Sequence, residues 1–113
     1  MKTIKRMGAQ GDVMFIRVTA LPAGLSEAQA VEGRCVVAHS ETGHDHYTAS
    51  SRARQWADPQ DPLICYLQVS DEYADIVHAR SFDTHETIRL GAGTWRTCRQ
   101  REYVPGGFRR VED

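Results

Sequence analysis

Histidines are the residues of this sequence whose type and spacing best fit a chemical role. Three of the five fall within eight residues, in the run His39-Ser-Glu-Thr-Gly-His44-Asp-His46. Neutral imidazole is the commonest protein ligand for zinc and similar divalent metals. Residues two apart on a β-strand point to the same face, so His44 and His46 are placed to aim two imidazoles at one point.

A divalent site needs three or four ligands, so further ligands must come from other parts of the chain. His39 precedes a predicted turn at Thr42-Gly43 that would fold it back toward His46. Two more histidines lie in the second half of the chain. The predicted metal ligands are therefore His39, His44, His46, His78 and His85, with zinc as the first choice of ion.

Glu41 lies inside the histidine run and is the predicted catalytic residue of such a site. Its carboxylate would act as a further ligand or as a base on a metal-bound water. The alternative is structural: these side chains form the polar rim of a strand-turn-strand unit and hydrogen bond to backbone and to Asp45. The residues leave open whether the protein is an enzyme.

A second candidate site is the basic run Arg96-Thr-Cys-Arg-Gln-Arg-Glu-Tyr103. On one strand, Arg99 and Arg101 share a face with Trp95, Thr97 and Tyr103. Arginines and aromatic rings on one sheet face hold single-stranded nucleic acid by phosphate pairing and base stacking. The predicted residues for binding nucleic acid or a host protein are Arg96, Arg99, Arg101 and Tyr103.

Charge is close to balanced over the whole chain, at −1, but it is unevenly distributed. Residues 1–56 sum to +2 (seven basic, five acidic), residues 57–88 to −6 (one basic, seven acidic) and residues 89–113 to +3 (six basic, three acidic). The alternative to a basic binding face is therefore that the late arginines pair with the acids of residues 57–88.

The elements that must position these residues have the period of β-strands. Apolar residues alternate with other residues in the short stretches 12–19, 63–69, 75–79 and 88–90. Residues 34–39 form a short β-branched run, and residues 94–104 form a long run rich in Thr, Trp, Tyr and Arg. Gly, Pro or Asp clusters separate these stretches. Residues 88–90 and 94–104 are predicted as separate strands because Gly91-Ala92-Gly93 lies between them. Asp58 to Pro62 is predicted as a loop.

The predicted fold is a single all-β domain over residues 1–113, an antiparallel sandwich or a small open barrel with at most one short helix. That helix would begin at Ser26, which fits a capping box with Gln29, and its apolar residues would be Ala28, Ala30 and Val31. No apolar run approaches the ~20 residues that cross a bilayer, and no apolar stretch follows the basic start, which argues against a secretory signal.

The three cysteines are far apart, odd in number and form no C-x-x-C pair. This pattern predicts reduced thiols in a cytoplasmic protein, each acting as a small apolar residue of a strand. They are Cys35, Cys65 and Cys98.

The order of these pieces resembles a group of small uncharacterised β-rich proteins of phages and prophages. The resemblance runs from about Gly11 to Asp113 and rests on H-x-E-T-G-H-x-H at 39–46, His78, His85, I-x-L-x-x-G-x-W at 88–95 and R-Q-R-E-Y at 99–103. It implies a phage-associated protein and lends no activity. Six residues separate His78 from His85, whereas the group pattern has its late histidines close together.

H-x-H followed by a later histidine before I-x-L-x-x-G is also faintly similar to cupin barrels, which hold a metal with two His, a Glu and a third His. The glutamate that usually follows H-x-H is missing here, since the next acid after His46 is Asp58. Two function classes therefore stay open. One is a small-molecule or divalent-metal-binding β-domain, and the other is a phage accessory protein that binds a host protein or nucleic acid.

Overall fold

A computed structural model of the chain describes residues 1–38, 45–78 and 86–99, and these residues fold into nine β-strands. This described part contains no helix, and hence none that is long and apolar enough to cross a membrane. The all-β prediction is confirmed. The strands are β1 (Lys2–Ile4), β2 (Met7–Gln10), β3 (Val13–Val18), β4 (Ser26–Ala28), β5 (Arg34–Ala38), β6 (His46–Ala49), β7 (Ala53–Asp58), β8 (Asp61–His78) and β9 (Ile88–Arg99).

The two longest strands, β8 with 18 residues and β9 with 12, pair antiparallel and form the centre of the sheet. Their pairing has two stretches, and the register shifts between Val69 and Tyr73 of β8. An irregularity of this kind bends a strand and increases its twist. Each long strand is thereby divided into two halves that belong to different parts of a curled sheet.

Each half of the central pair has its own outer strands. The first half of β8 pairs with β7, which pairs with β4, and the second half pairs with β6, which pairs with β5. The first half of β9 pairs in parallel with β1, and the second half pairs antiparallel with β3, followed by β2. The side-chain amide of Gln55 in β7 donates to the carbonyl of Val36 in β5 at 2.8 Å. The sheet thus curls over itself into an open half-barrel.

The concave side of this half-barrel is the core. It is lined by alternate residues of β3, β8 and β9, as the period of two requires. Phe15, Leu67, Ile76, Leu90 and Trp95 have no exposed surface. The indole nitrogen of Trp95 donates to the carbonyl of Gly91 at 2.9 Å, so even this large side chain satisfies its one donor.

The short helix that the sequence allowed at Ser26 does not form. Ser26–Ala28 is the short edge strand β4, which pairs antiparallel with β7 from Gln55 to Ala57. Across this pair Arg54 makes a bidentate contact with the carboxylate of Glu27, at 2.7 and 2.8 Å. Short isolated helices are marginal because nucleation is costly, so pairing with an existing strand wins over the capping signal.

The strand end predicted at Gly91-Ala92-Gly93 is also wrong, because β9 runs through it to Arg99. Gly93 adopts φ of +138°, a conformation that favours glycine. The glycines therefore allow the strand to bend where the sheet curls, and they do not end it. The predicted loop at Asp58 to Pro62 is a tight hairpin turn, since Asp58 and Asp61 already pair.

The three cysteines lie in strands, as predicted: Cys35 in β5, Cys65 in β8 and Cys98 in β9. All three are free thiols, Cys35 and Cys65 are buried, and Cys98 is half-buried.

Candidate functional site

Two of the predicted ligand histidines meet in the fold. His46 in β6 and His78 in β8 are direct partners in the antiparallel register. Their rings stack with centroids 4.1 Å apart and planes 8° from parallel. Both side chains lie on the inner side, 3% and 8% exposed, because alternation places His78 on the same face as Ile76 and His46 on the same face as Thr48.

A buried glutamine holds one of the two rings in place. The amide nitrogen of Gln10 donates to the carbonyls of Ile76 and Glu86, each at 2.9 Å, and the side chain is only 2% exposed. Carbonyls can only accept, so these two bonds set which end of the amide is nitrogen. The amide oxygen then faces Nδ1 of His46 at 2.8 Å.

The hydrogen bond between Gln10 and His46 has only one possible direction. The amide oxygen accepts, so Nδ1 of His46 must donate, which assigns its proton. In the neutral imidazole the other nitrogen, Nε2, then carries the lone pair. Gln10 therefore presents His46 as a base or as a ligand through Nε2.

Sequence reasoning missed Gln10. The residue is in the short hairpin strand β2, where it pairs with Val13 across the turn at Gly11-Asp12. The burial of β2 does not alternate, so its last residue carries no periodic signal. A polar residue beside a tight turn is ordinarily exposed, and only contacts 36 to 76 residues away along the chain reveal its role.

The other predicted site residues of the histidine cluster, His39, Glu41, His44 and His85, lie outside the described residues. The described chain nevertheless approaches both of these segments beside the histidine pair. Ala38 pairs with His46 in the register and immediately precedes residues 39–44. Glu86, whose carbonyl binds Gln10, immediately follows residues 79–85. Within residues 1–38, 45–78 and 86–99, no three His, Cys, Asp or Glu side chains are grouped so that they could hold a metal ion.

The basic run is divided between described and undescribed residues. Arg99 forms an ion pair with Asp12 at 2.9 Å, and its side chain is 16% exposed. Trp95 and Thr97, which share its face in the prediction, are buried in the concave side of the sheet. Arg96 is half-buried, and Arg101 and Tyr103 lie outside the described residues. Binding of nucleic acid or a host protein through this run stays a prediction.

Among the residues that the structure describes, one cross-strand pair shows the predicted pairing between the acidic stretch 57–88 and the basic stretch 89–113. Arg89 and Asp75 are register partners in β9 and β8, and their side chains meet at 2.8 and 3.1 Å. This hydrogen bonding raises the pKa of Arg89 above its ordinary value. Arg99 differs, because its partner Asp12 lies outside the acidic stretch 57–88.

The two buried thiols are not activated nucleophiles. Burial raises the pKa of Cys65 to about 11 and also raises that of Cys35. A thiol reacts through its thiolate, so these two groups are nearly inert at neutral pH. The chemistry of the candidate site therefore rests on the histidine pair and not on Cys35 or Cys65.

Comparison with known proteins gives a family and no activity. No curated protein matches the chain. No solved structure matches it either. The family model described as a domain of unknown function, DUF8820, matches residues 9–100, which cover β3 to β9 and the whole histidine cluster. The chain therefore belongs to the DUF8820 family.

Proposed function

We propose that the histidine pair forms part of a binding site for a divalent metal ion, with zinc as the first candidate. The observation that carries this proposal is the hydrogen bond between Nδ1 of His46 and the amide oxygen of Gln10. Metal-binding histidines almost always donate their second ring nitrogen to such an acceptor, which sets the tautomer and orients the ring. His46 has this arrangement and sits in register with a second imidazole.

The two rings as they stand would not share one ion, because each lone pair lies in its own ring plane and the planes are parallel, with centroids 4.1 Å apart. Convergence on one ion would therefore require one of the two rings to rotate. The predicted further ligands are His39, His44 and His85, next in the chain to described residues of this end of the sheet. Glu41 remains the predicted base, and a bound zinc ion would supply an acidified water for it to act on.

Zinc titration of untagged, chelator-treated protein tests the proposal, with elemental analysis of the purified protein as a second measurement. We expect one equivalent to bind. His46→Ala and His78→Ala should each lower the affinity about tenfold or more, equivalent to ~1.4 kcal/mol. Gln10→Leu should weaken binding about 10- to 100-fold without removing a ligand, as losses of second-layer partners do.

Cys98→Ser is the matched control, since it removes a half-buried potential ligand that does not belong to the predicted set. Its zinc affinity should equal that of the unmodified protein. His46→Gln and His78→Gln replace the alanine variants if those lose their β-sheet circular dichroism. Absence of zinc binding, or binding by the folded histidine variants with unchanged affinity, would refute the metal site.

A further inference from the structure

A cavity of about 360 Å³ is lined by residues of β3, β5, β7, β8 and β9. We propose that this cavity binds a small, neutral, largely apolar organic molecule. The proposal goes beyond the metal site and does not require a metal.

The walls of the cavity set the apolar character of the ligand. Valine, isoleucine, leucine, proline and alanine side chains make up most of the lining. Leu63 is exposed at its edge, although it is one of the large apolar residues of the chain. Pockets of roughly 300–1,000 Å³ with mostly apolar walls and a few polar groups are the usual form of small-molecule sites. The size and lining of this cavity both fit that class.

The one hydroxyl of the lining is closed off from the cavity. Thr97 is 1% exposed, and its Oγ1 has no accessible surface and lies beside the thiol of Cys65. A ligand in the cavity would therefore gain no hydrogen bond from this hydroxyl, and apolar contact is the interaction that the walls offer.

The other polar groups of the lining have partners within the protein. The amide of Gln55 donates to the carbonyl of Val36 at 2.8 Å, and the thiol of Cys65 donates to the carbonyl of Val37 at 3.7 Å. Arg99 is the charged residue of the lining, and it forms an ion pair with Asp12. Because that charge is already compensated, the site favours a neutral ligand over an anion.

Two residues that line the cavity are also neighbours of the histidine site across the strands. Ala38 lines it and pairs with His46, and Val13 lines it and pairs with Gln10. A ligand in the cavity would therefore lie one residue layer from the proposed metal site. The two proposals are separable, because ligand binding can be measured with the metal removed.

Titration with N-phenyl-1-naphthylamine in the presence of EDTA tests the proposal. This neutral fluorophore is largely apolar and brightens in apolar surroundings. We expect saturable binding at one site. Ala57→Trp should lower the affinity about tenfold or more, because Ala57 is an exposed residue of the lining and tryptophan would fill the entrance.

Ala49→Trp is the matched control, since Ala49 is equally an exposed strand residue but lies outside the lining. It should bind the fluorophore within about twofold of the unmodified protein. The proposal is overturned if the unmodified protein shows no saturable binding, or if Ala57→Trp binds as tightly as Ala49→Trp.

Discussion

At the scale of single residues, one amide side chain connects three separate parts of the fold. Gln10 joins the carbonyl of Ile76 in β8, the carbonyl of Glu86 before β9, and the ring of His46 in β6. The contacts with Ile76 and His46 are buried, and the contact with Glu86 is partly buried. A side chain of this kind stabilises the arrangement of the strands and orients the histidine at once.

Gln10→Leu should therefore destabilise the protein by about 2–3 kcal/mol, because it leaves buried carbonyls and a ring N–H without their partner. Urea unfolding followed by circular dichroism measures this loss. Gln60→Leu, the same change at an exposed turn position, should cost under ~0.5 kcal/mol. Equal losses in the two variants would show that Gln10 contributes no more than a surface glutamine.

The thiols give a second residue-scale prediction. With a pKa of about 11, Cys65 is thiolate to only about one part in 10³ at pH 8, so it should react slowly with a disulfide reagent. The half-buried Cys98 should react first. Between pH 8 and pH 9 the Cys65 rate should rise about tenfold, since both values lie below its pKa.

Single substitutions assign the phases of this reaction. Cys98→Ser should remove the fast phase, whereas Cys65→Ser should leave it intact. A fast phase that disappears with Cys65→Ser would contradict the burial of that thiol.

At the scale of elements, the two long strands, β8 and β9, each bend near the middle and continue as one strand. β8 bends at the register shift between Val69 and Tyr73, and β9 bends opposite it, where Gly91 pairs with Tyr73 and Gly93 pairs with Val69. The guanidinium of Arg17 donates to the carbonyl of Ala92 and covers Gly93. The bend is therefore built from glycine backbone on one strand and an irregular register on the other.

Gly93→Ala should destabilise the protein by about 1–2 kcal/mol, because φ of +138° is strained for any residue with a Cβ and Arg17 must also shift. Gly91→Ala is the control in the same strand. Nothing lies within 4 Å of a Cβ built there, and its φ is not in the positive region. Thermal unfolding should show a lower melting temperature for Gly93→Ala alone; equal melting temperatures would mean that the bend does not need glycine.

At the scale of the whole molecule, the paired strands β8 and β9 hold the domain together. Each half of β9 has a strand on both sides, as does the first half of β8, whereas β4 and β2 are short edge strands. The same two central strands supply most of the fully buried apolar side chains. Stability should therefore be highest at the centre of the sheet and decrease toward its edges.

Hydrogen exchange measured by NMR tests this distribution. Amides of β9 and of the first half of β8 should exchange slowest, through global unfolding, because both sides of these strands are hydrogen bonded. Amides of β4 and β2 should exchange much faster, through local opening. Slowest exchange in an edge strand would contradict this view of the half-barrel.

The sequence by itself determined the local pattern of this protein. Alternation predicted the strand at residues 13–18 and the strand character of 63–69 and 75–78, because the period of a strand is two, and a β-branched run predicted the strand at 34–38. Alternation also predicted that Ile76 and His78 share a face. The cysteines were placed correctly in strands as small apolar residues, with Cys35 and Cys65 buried and Cys98 half-buried.

Only the tertiary structure decided which of these faces meet. The pairing of His46 with His78 and the three contacts of Gln10 join residues 32 to 76 positions apart. The short strand at Ser26 likewise exists because β7 pairs with it, against the local helix signal. Period-two patterns specify a face and carry no information about register or partner strand, which are decided by packing and hydrogen bonds across the whole sheet.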